Sequence, residues 1–363
     1  MNGKLKLLVL GSVTSYVSGT SVSLQILLDL IRTRNDVEIT YLNTSCSEHK
    51  HIGKITFLLK FFFQYLFCLV SCNVVSIHIN EPNKAIPLSI FAKIFRKPLI
   101  IRWFGGVDYK RHGNFVRRLC SKIILRIADV NLKQTQWLTN QAKNDGSKVT
   151  IWYSTSRIAD NLPKTNTGTG SGECRKFLYA GQIKRSKGVF EIIEASLRFN
   201  ENVLVDFYGD FKDEFDSEIF NGLANVRYCG KIKHNEMVGT MRKYDALLLP
   251  SYHPGEGYPG VIVEAYLAGI PVIASNFQSI PEIVDPECGI LVEAKSVDDL
   301  YIAMQTLVNN KVLYQKLSLG AYLKGKHFQA QIWSDYFIDI CKHLFAGKID
   351  NLKRKMLHSV KTL

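Results

Sequence analysis

The chain has 363 residues, 46% hydrophobic and 21% charged, which is room for two domains of ordinary size with substantial cores. Eight cysteines occur without a CxxC pair or a His/Cys cluster, which excludes a disulfide scaffold and a structural zinc site and suits reduced thiols in the cytosol. The net charge of +14 is uneven: residues 1–155 hold 21 Lys/Arg and 8 Asp/Glu while the rest is nearly neutral, so the first part is expected to face something anionic.

Leu5 to Leu10 is too short for a secretory core and runs into a Gly/Ser loop, Gly11 to Ser21, so it reads as a first strand; no signal peptide is evident. Ile55 to Ser71 is apolar over seventeen residues, interrupted by Lys60 and Gln64. A lysine within a span is costly, which argues against a transmembrane helix. Lys60 and Gln64 share a helical face, so the segment reads as an amphipathic helix covering a sheet, or as the same helix also touching a bilayer. Val74 to Ile79 is a strand ending in His78-Ile79, and Pro82 follows as a strand-to-helix connection requires. His78 reads as a buried, satisfied residue. Pro98 to Asp108 is a further strand and loop, in which Arg102 and Asp108 are candidates to line a cleft or, equally, to serve surface or structural roles. Ser154 to Lys176 is rich in Ser, Thr, Gly and Asn and reads as a linker.

The second half is more legible. Phe177 to Ala180 is a strand, Gly181 to Gly188 a basic loop carrying Gln182, Lys184, Arg185 and Lys187, and Val189 to Leu197 an amphipathic helix. Ala246 to Leu249 is a short apolar run of the kind a buried parallel strand makes. A loop punctuated by Pro254, Gly255 and Gly257 follows, then Pro259 as the first residue of a helix, Gly269 as its left-handed cap, and Val272 to Ala274 as the next strand. The N–H groups of Gly260, Val261 and Ile262 would be free, which makes an anion site. Glu264 lies five residues beyond Pro259, roughly 7 Å along the axis. Carboxylates repel a diphosphate but accept from vicinal hydroxyls, so Glu264 suits a ribose diol and Glu256 the hydroxyls of a second sugar.

Glu256-Gly257-Tyr258-Pro259-Gly260-Val261-Ile262-Val263-Glu264-Ala265, followed by Ala268-Gly269-Ile270-Pro271-Val272-Ile273-Ala274-Ser275, resembles the signature of retaining glycosyltransferases of family 4 (glycosyl transferases group 1). The resemblance implies an α/β GT-B fold: two Rossmann-like domains with parallel sheets, and a C-terminal helix crossing back to the first. It divides the chain into an acceptor-binding, membrane-facing domain (1–155), a linker (156–175), a nucleotide-sugar domain (176–328), and the crossing helix with a basic tail (329–363). Glu256, Lys187 and Arg185 become catalytic candidates; Glu264, Gly257, Tyr258, Pro259, Gly260, Val261, Gly181, Gln182 and Gly19 become donor-binding ones. The family's Gly-Arg…Lys-Gly motif is matched at Lys187, whereas Gln182 stands where the arginine is usual, with Arg185 or Lys184 as its replacement. Phe104-Gly105 stands where many relatives have His-Gly.

These likenesses imply a retaining transfer from a UDP- or GDP-sugar to a saccharide acceptor, with no metal and no cofactor. Charge and resemblance together suggest a polyprenyl-diphosphate-linked acceptor, an anionic membrane surface at the cytoplasmic face as partner, and bacterial surface-polysaccharide assembly (O-antigen, capsule or exopolysaccharide). Two other readings stay open, a nucleotide-sugar epimerase on the same fold and a non-catalytic sugar-nucleotide-binding protein. No familiar nucleic-acid recognition motif is present, and nucleic acid is not an expected partner.

Overall fold

The computed structural model describes residues 3–13, 19–45, 53–79, 81–105, 115–158, 173–200, 202–212, 215–254 and 256–348. It divides into two compact units, one comprising the chain up to Ser154 together with the part from Ala330 onward, the other Thr155–Gln329. Asp108 and the basic triplet Lys353-Arg354-Lys355 lie outside the described residues, as does most of the expected linker.

In the first unit the elements alternate: β1 (Leu5–Gly11), α1 (Gly19–Arg32), β2 (Val37–Asn43), α2 (Lys54–Ser71), β3 (Val74–Ile79), α3 (Pro82–Ile94), β4 (Leu99–Trp103), α4 (Phe115–Ile127), β5 (Val130–Lys133), α5 (Gln136–Asn144) and β6 (Thr150–Trp152). All pairings are parallel, in the order β2-β1-β3-β4-β5-β6. Strands buried on both faces need unbroken apolar runs, as in Leu7-Leu8-Val9-Leu10 and Leu99-Ile100-Ile101. One face, with Val9, Val74 and Ile100, packs on α1. The opposite face, with Leu8, Leu10, Ile77 and Ile101, packs on α2, α3 and α4 through Tyr65, Leu69, Ala92 and Ile124.

The second unit contains β7 (Lys176–Ala180), α6 (Val189–Ser196), β8 (Leu204–Tyr208), β9 (Val226–Tyr228), α7 (Met237–Met241), β10 (Ala246–Leu249), α8 (Gly260–Ala268), β11 (Val272–Ser275), β12 (Gly289–Val292), α9 (Val297–Asn309) and α10 (Lys311–Gly325). Its sheet runs β12-β11-β10-β7-β8-β9, again all parallel. The chain then returns to the first unit as α11 (Ala330–Phe345), where Trp333, Phe337 and Ile338 join the α1-side core. Tyr153 Oη donates to the Trp333 carbonyl at 2.8 Å, and Lys342 pairs with Asp36 at 2.7 Å, fixing that return.

Each sheet has one place where strand order reverses: between β1 and β3 in the first, between β7 and β10 in the second. In open parallel sheets ligands bind beyond the carboxyl ends of the strands at such a point, because the connections on either side diverge and leave a crevice.

Candidate functional site

The reversal in the second unit sets two loops side by side, Gly181–Gly188 after β7 and Pro250–Pro259 after β10. They are stitched together. Tyr252 N–H donates to the Ser186 carbonyl at 2.9 Å, and Ser186 Oγ lies 3.3 Å from His253 Nδ1. Gly188 adopts φ +77°, and a Cβ there would stand 2.4 Å from the Pro250 carbonyl oxygen, so only glycine permits this approach. The close approach carries Lys187, the last residue of a single 3₁₀ turn, onto Glu256. Lys187 Nζ pairs with Glu256 Oε2, which also accepts from Ser251 Oγ at 2.5 Å. Both side chains are largely buried, so this ion pair is shielded from solvent screening.

The second carboxylate is held in the middle of α8. Glu264 Oε1 accepts from Arg157 Nε at 2.8 Å, with both side chains 5% exposed. His234 Nδ1 lies 3.4 Å from the same oxygen. Burial raises the Glu264 pKa, and the charge and hydrogen bond of Arg157 oppose that rise. Burial, reinforced by the Arg157 cation, lowers the His234 pKa to about 4, so the imidazole beside Glu264 is neutral near pH 7. The guanidinium lies close against Gly260: a Cβ at that position would stand 2.0 Å from Arg157 Nη2. Arg157 therefore adds a full charge to the positive end of the helix.

Several sequence expectations need correction. Pro259 is the N-cap rather than the first helical residue, and α8 begins at Gly260. Ile262 N–H is not free, since it donates to the Pro259 carbonyl at 3.1 Å, so the expected amide cradle narrows to Gly260 and Val261. Arg185 places its guanidinium 4.6 Å from the Phe190 ring. Glu264, expected to take a ribose diol, already accepts from Arg157 through one of its oxygens. Arg157 was assigned to the linker, yet it is built into the second unit, where its N–H donates to the Phe328 carbonyl at 3.1 Å.

The other candidates are placed as follows. Gly257, Tyr258 and Pro259 are buried, and the Tyr258 carbonyl accepts from Thr155 Oγ1 at 3.4 Å. Gln182 is exposed, its carbonyl accepting from Tyr179 Oη at 2.6 Å, and Gly181 N–H donates to the Tyr208 carbonyl at 3.0 Å. Gly19 belongs to the first unit, exposed at the start of α1. The second unit thus brings together Lys187, Glu256, Glu264 and the α8 N-terminus, adding Arg157 and His234, which sequence reasoning missed. In the first unit Arg102 is buried between the rings of Phe104 and Tyr153, 4.7 and 4.5 Å from their centroids. His78 is buried but not satisfied: its Nδ1 has no hydrogen-bond partner. Among the described residues no group of three or more His, Cys, Asp or Glu is placed to hold a metal ion.

Each carboxylate of the site carries a cation, and the helix end is positive. Such a site can take an anion on its cations and amides while the freed carboxylate oxygens accept hydroxyls.

Residues 169–324 match the model of the family Glycosyl transferases group 1. A GDP-mannose-dependent phosphatidylinositol monomannoside mannosyltransferase of Corynebacterium glutamicum is 30% identical over 159 residues, 42% of this chain and 40% of that protein. An uncharacterized 41.2 kDa protein in the cps region of Klebsiella pneumoniae is 28% identical, over 40% of each chain. The matches to these relatives thus span about two fifths of their length. A phosphatidyl-myo-inositol mannosyltransferase of Mycobacterium leprae is 29% identical over 68% of both chains. In structure, HepE of Anabaena in complex with UDP aligns with a TM-score of 0.76 at 15% identity, covering 93% of this chain and all of that one. Sucrose-phosphate synthase of Thermosynechococcus elongatus aligns at 0.73, covering 95% and 100%. The chain has the GT-B fold, and its second unit carries a domain of the glycosyl transferases group 1 type.

Proposed function

We propose that the protein is a retaining glycosyltransferase that moves a sugar from a UDP- or GDP-sugar to a lipid-linked saccharide acceptor in the assembly of a bacterial surface polysaccharide. The observation that carries this reading is the pairing of Lys187 with Glu256 across the strand-order reversal, beside an α8 N-terminus charged by Arg157. A departing nucleoside diphosphate gains negative charge as the glycosidic bond breaks, and preorganised cations and amides stabilise that charge where it develops. In this reading Lys187 turns from Glu256 to the diphosphate, and Gly260 and Val261 add their N–H groups. Glu256, released, accepts from the donor sugar's hydroxyls. Glu264 stays on Arg157 through one oxygen and offers the other to the ribose. In this reading both carboxylates bind hydroxyls rather than attack, and the acceptor hydroxyl attacks from the same face with the leaving phosphate as base. Arg185 has no part in this scheme.

The acceptor half would lie on the first unit. Three helices on one sheet face, α2, α3 and α4, contain eight Lys/Arg and no Asp/Glu. Their outward sides carry exposed Phe63, Phe67, Val70, Ile94, Phe115 and Leu119, an apolar and basic surface suited to an anionic bilayer. No helix among the described residues is long and apolar enough to cross a membrane. Incubation with labelled UDP- and GDP-hexoses and a membrane extract tests the reading. It expects label in a lipid-extractable product with the donor's anomeric configuration; an inverted product refutes retention, and an epimerised donor with no transfer refutes the transferase.

A further inference from the structure

The chain leaves the edge strand β9 and returns to β10, three places along the sheet. On the way it forms a single 3₁₀ turn, His234–Glu236, and then α7. His234 opens that turn, so it stands on the carboxyl side of the parallel strands, where open sheets bind ligands. The return path sets its imidazole against α8, with Nδ1 3.4 Å from Glu264 Oε1. Exposure is graded across the group. The side chains of Arg157 and Glu264 are 5% exposed, whereas that of His234 is 27% exposed. The imidazole is thus the member of the three most open to a ligand.

Its neighbours fix the tautomer. A carboxylate only accepts, so the ring nitrogen that faces Glu264 carries the proton. Burial and the Arg157 cation oppose a second proton on the ring. Nε2 is left with a lone pair, and it accepts a hydrogen bond but cannot donate one. The groups around α8 therefore divide by kind. At the helix start Arg157 and the N–H groups of Gly260 and Val261 are donors, which suit a phosphate. One turn on, Glu264 and His234 Nε2 are acceptors, which a phosphate avoids and a hydroxyl seeks. In a nucleotide the hydroxyls nearest the phosphates are those of the ribose joined to them.

We infer that His234 is a specificity-determining residue of the donor site: its Nε2 accepts from one hydroxyl of the donor's ribose while Glu264 accepts from the other, so that the site selects ribonucleotides over their deoxy forms. The inference rests on the nucleotide-sugar reading of this site and adds to it a residue and a selectivity.

The test titrates the full chain by calorimetry with UDP and GDP, and with the 2′-deoxy and 3′-deoxy forms of whichever binds. In the wild type each missing hydroxyl should raise Kd about tenfold or more, because a site built to pair with a hydroxyl rejects the analogue lacking it. His234→Asn and His234→Gln separate the two ring nitrogens, since the asparagine amide reaches the Nδ1 position and the glutamine amide the Nε2 position. His234→Asn should cut one of the two ratios to below about threefold, by weakening the ribonucleotide while the matching deoxy form binds as before. His234→Gln, with an amide oxygen able to accept at the Nε2 position, should keep that ratio above about fivefold. A merely structural role would weaken ribo and deoxy forms equally and leave both ratios as they were. Both ratios unchanged in His234→Asn, or a wild type that binds all three nucleotides alike, overturns the assignment and leaves the nucleotide-sugar reading standing. No binding of UDP or GDP overturns both. Ratios that behave as expected in a protein that transfers no hexose keep the assignment and overturn the transferase.

Discussion

Replacing Arg157 by Met removes a cation from a pair in which both side chains are 5% exposed. Breaking a buried pair by deleting one partner costs about 3–5 kcal/mol, since the remaining charge loses its compensation. Two features of this site reduce the figure. Glu264 can take up a proton, its pKa being raised already by burial, and removing the opposing Arg157 raises it further. His234 Nδ1 is 3.4 Å away and can share part of the charge. The expected loss is therefore about 2–4 kcal/mol at pH 7.5, and it shrinks as pH falls and protonation relieves the carboxylate. In a Glu264→Gln background the same Arg157→Met change should cost under about 1.5 kcal/mol, a coupling of the size that contacting buried groups show. The probe has to report on the second unit, and all four tryptophans (103, 137, 152 and 333) lie in the first. Hydrogen exchange of the α8 amides under increasing urea meets that need. Additive single and double variants, or an Arg157→Met loss below about 0.5 kcal/mol, would refute the reasoning, because that is the scale of an exposed pair.

Gly260→Ala places a methyl carbon 2.0 Å from Arg157 Nη2, so it should cost about 1–3 kcal/mol in the wild type and nearly nothing in Arg157→Met; equal penalties in both by the same exchange assay would contradict the close approach. His234 has its folded pKa lowered from 6.5 to about 4, so between those values the unfolded chain binds the proton and the native protein does not. Stability should thus fall as pH drops from 7.5 to 5, by on the order of 2 kcal/mol more in the wild type than in His234→Gln. Glu264, with a raised pKa, acts in the opposite sense over part of this range but is common to both proteins; parallel pH profiles from urea melts would count against a neutral His234. Phe63→Asp/Phe67→Asp should lower binding to vesicles containing phosphatidylglycerol at least tenfold in a sedimentation assay, and binding of the wild type should weaken as salt rises. Salt-independent wild-type binding would remove the electrostatic part of the membrane proposal.

What could be read from the sequence was what local physics determines. The apolar runs at Ala246–Leu249 and Val272–Ser275, with Pro259 before and Gly269 after a nine-residue apolar helix, fix β10, α8 and β11 because turn and cap residues act over a few positions. Lys187 and Glu256 were nominated through the family resemblance, but their direct pairing follows from strand order. Arg157 was illegible for a physical reason: it lies 107 residues from Glu264 in a polar stretch without periodicity, and nothing local marks it. A basic loop does not say which cation points where: Arg185 lies over two aromatic rings, Phe190 and Phe215, which no local pattern announces. In α2 apolar residues occur all round the helix, so periodicity around Lys60 and Gln64 could not reveal that the outward side is itself largely apolar. The open valence at His78 belongs to tertiary packing alone.

The most direct test of the account is calorimetric titration of UDP- and GDP-hexoses into wild type, Lys187→Ala and Glu256→Gln, each shown to be folded. The account predicts one saturable site in the wild type for one of the two nucleotides, and affinity at least tenfold lower, about 1.4 kcal/mol, in each variant. Wild-type affinity in both variants would contradict it, since the Lys187–Glu256 pair would then take no part in holding the donor.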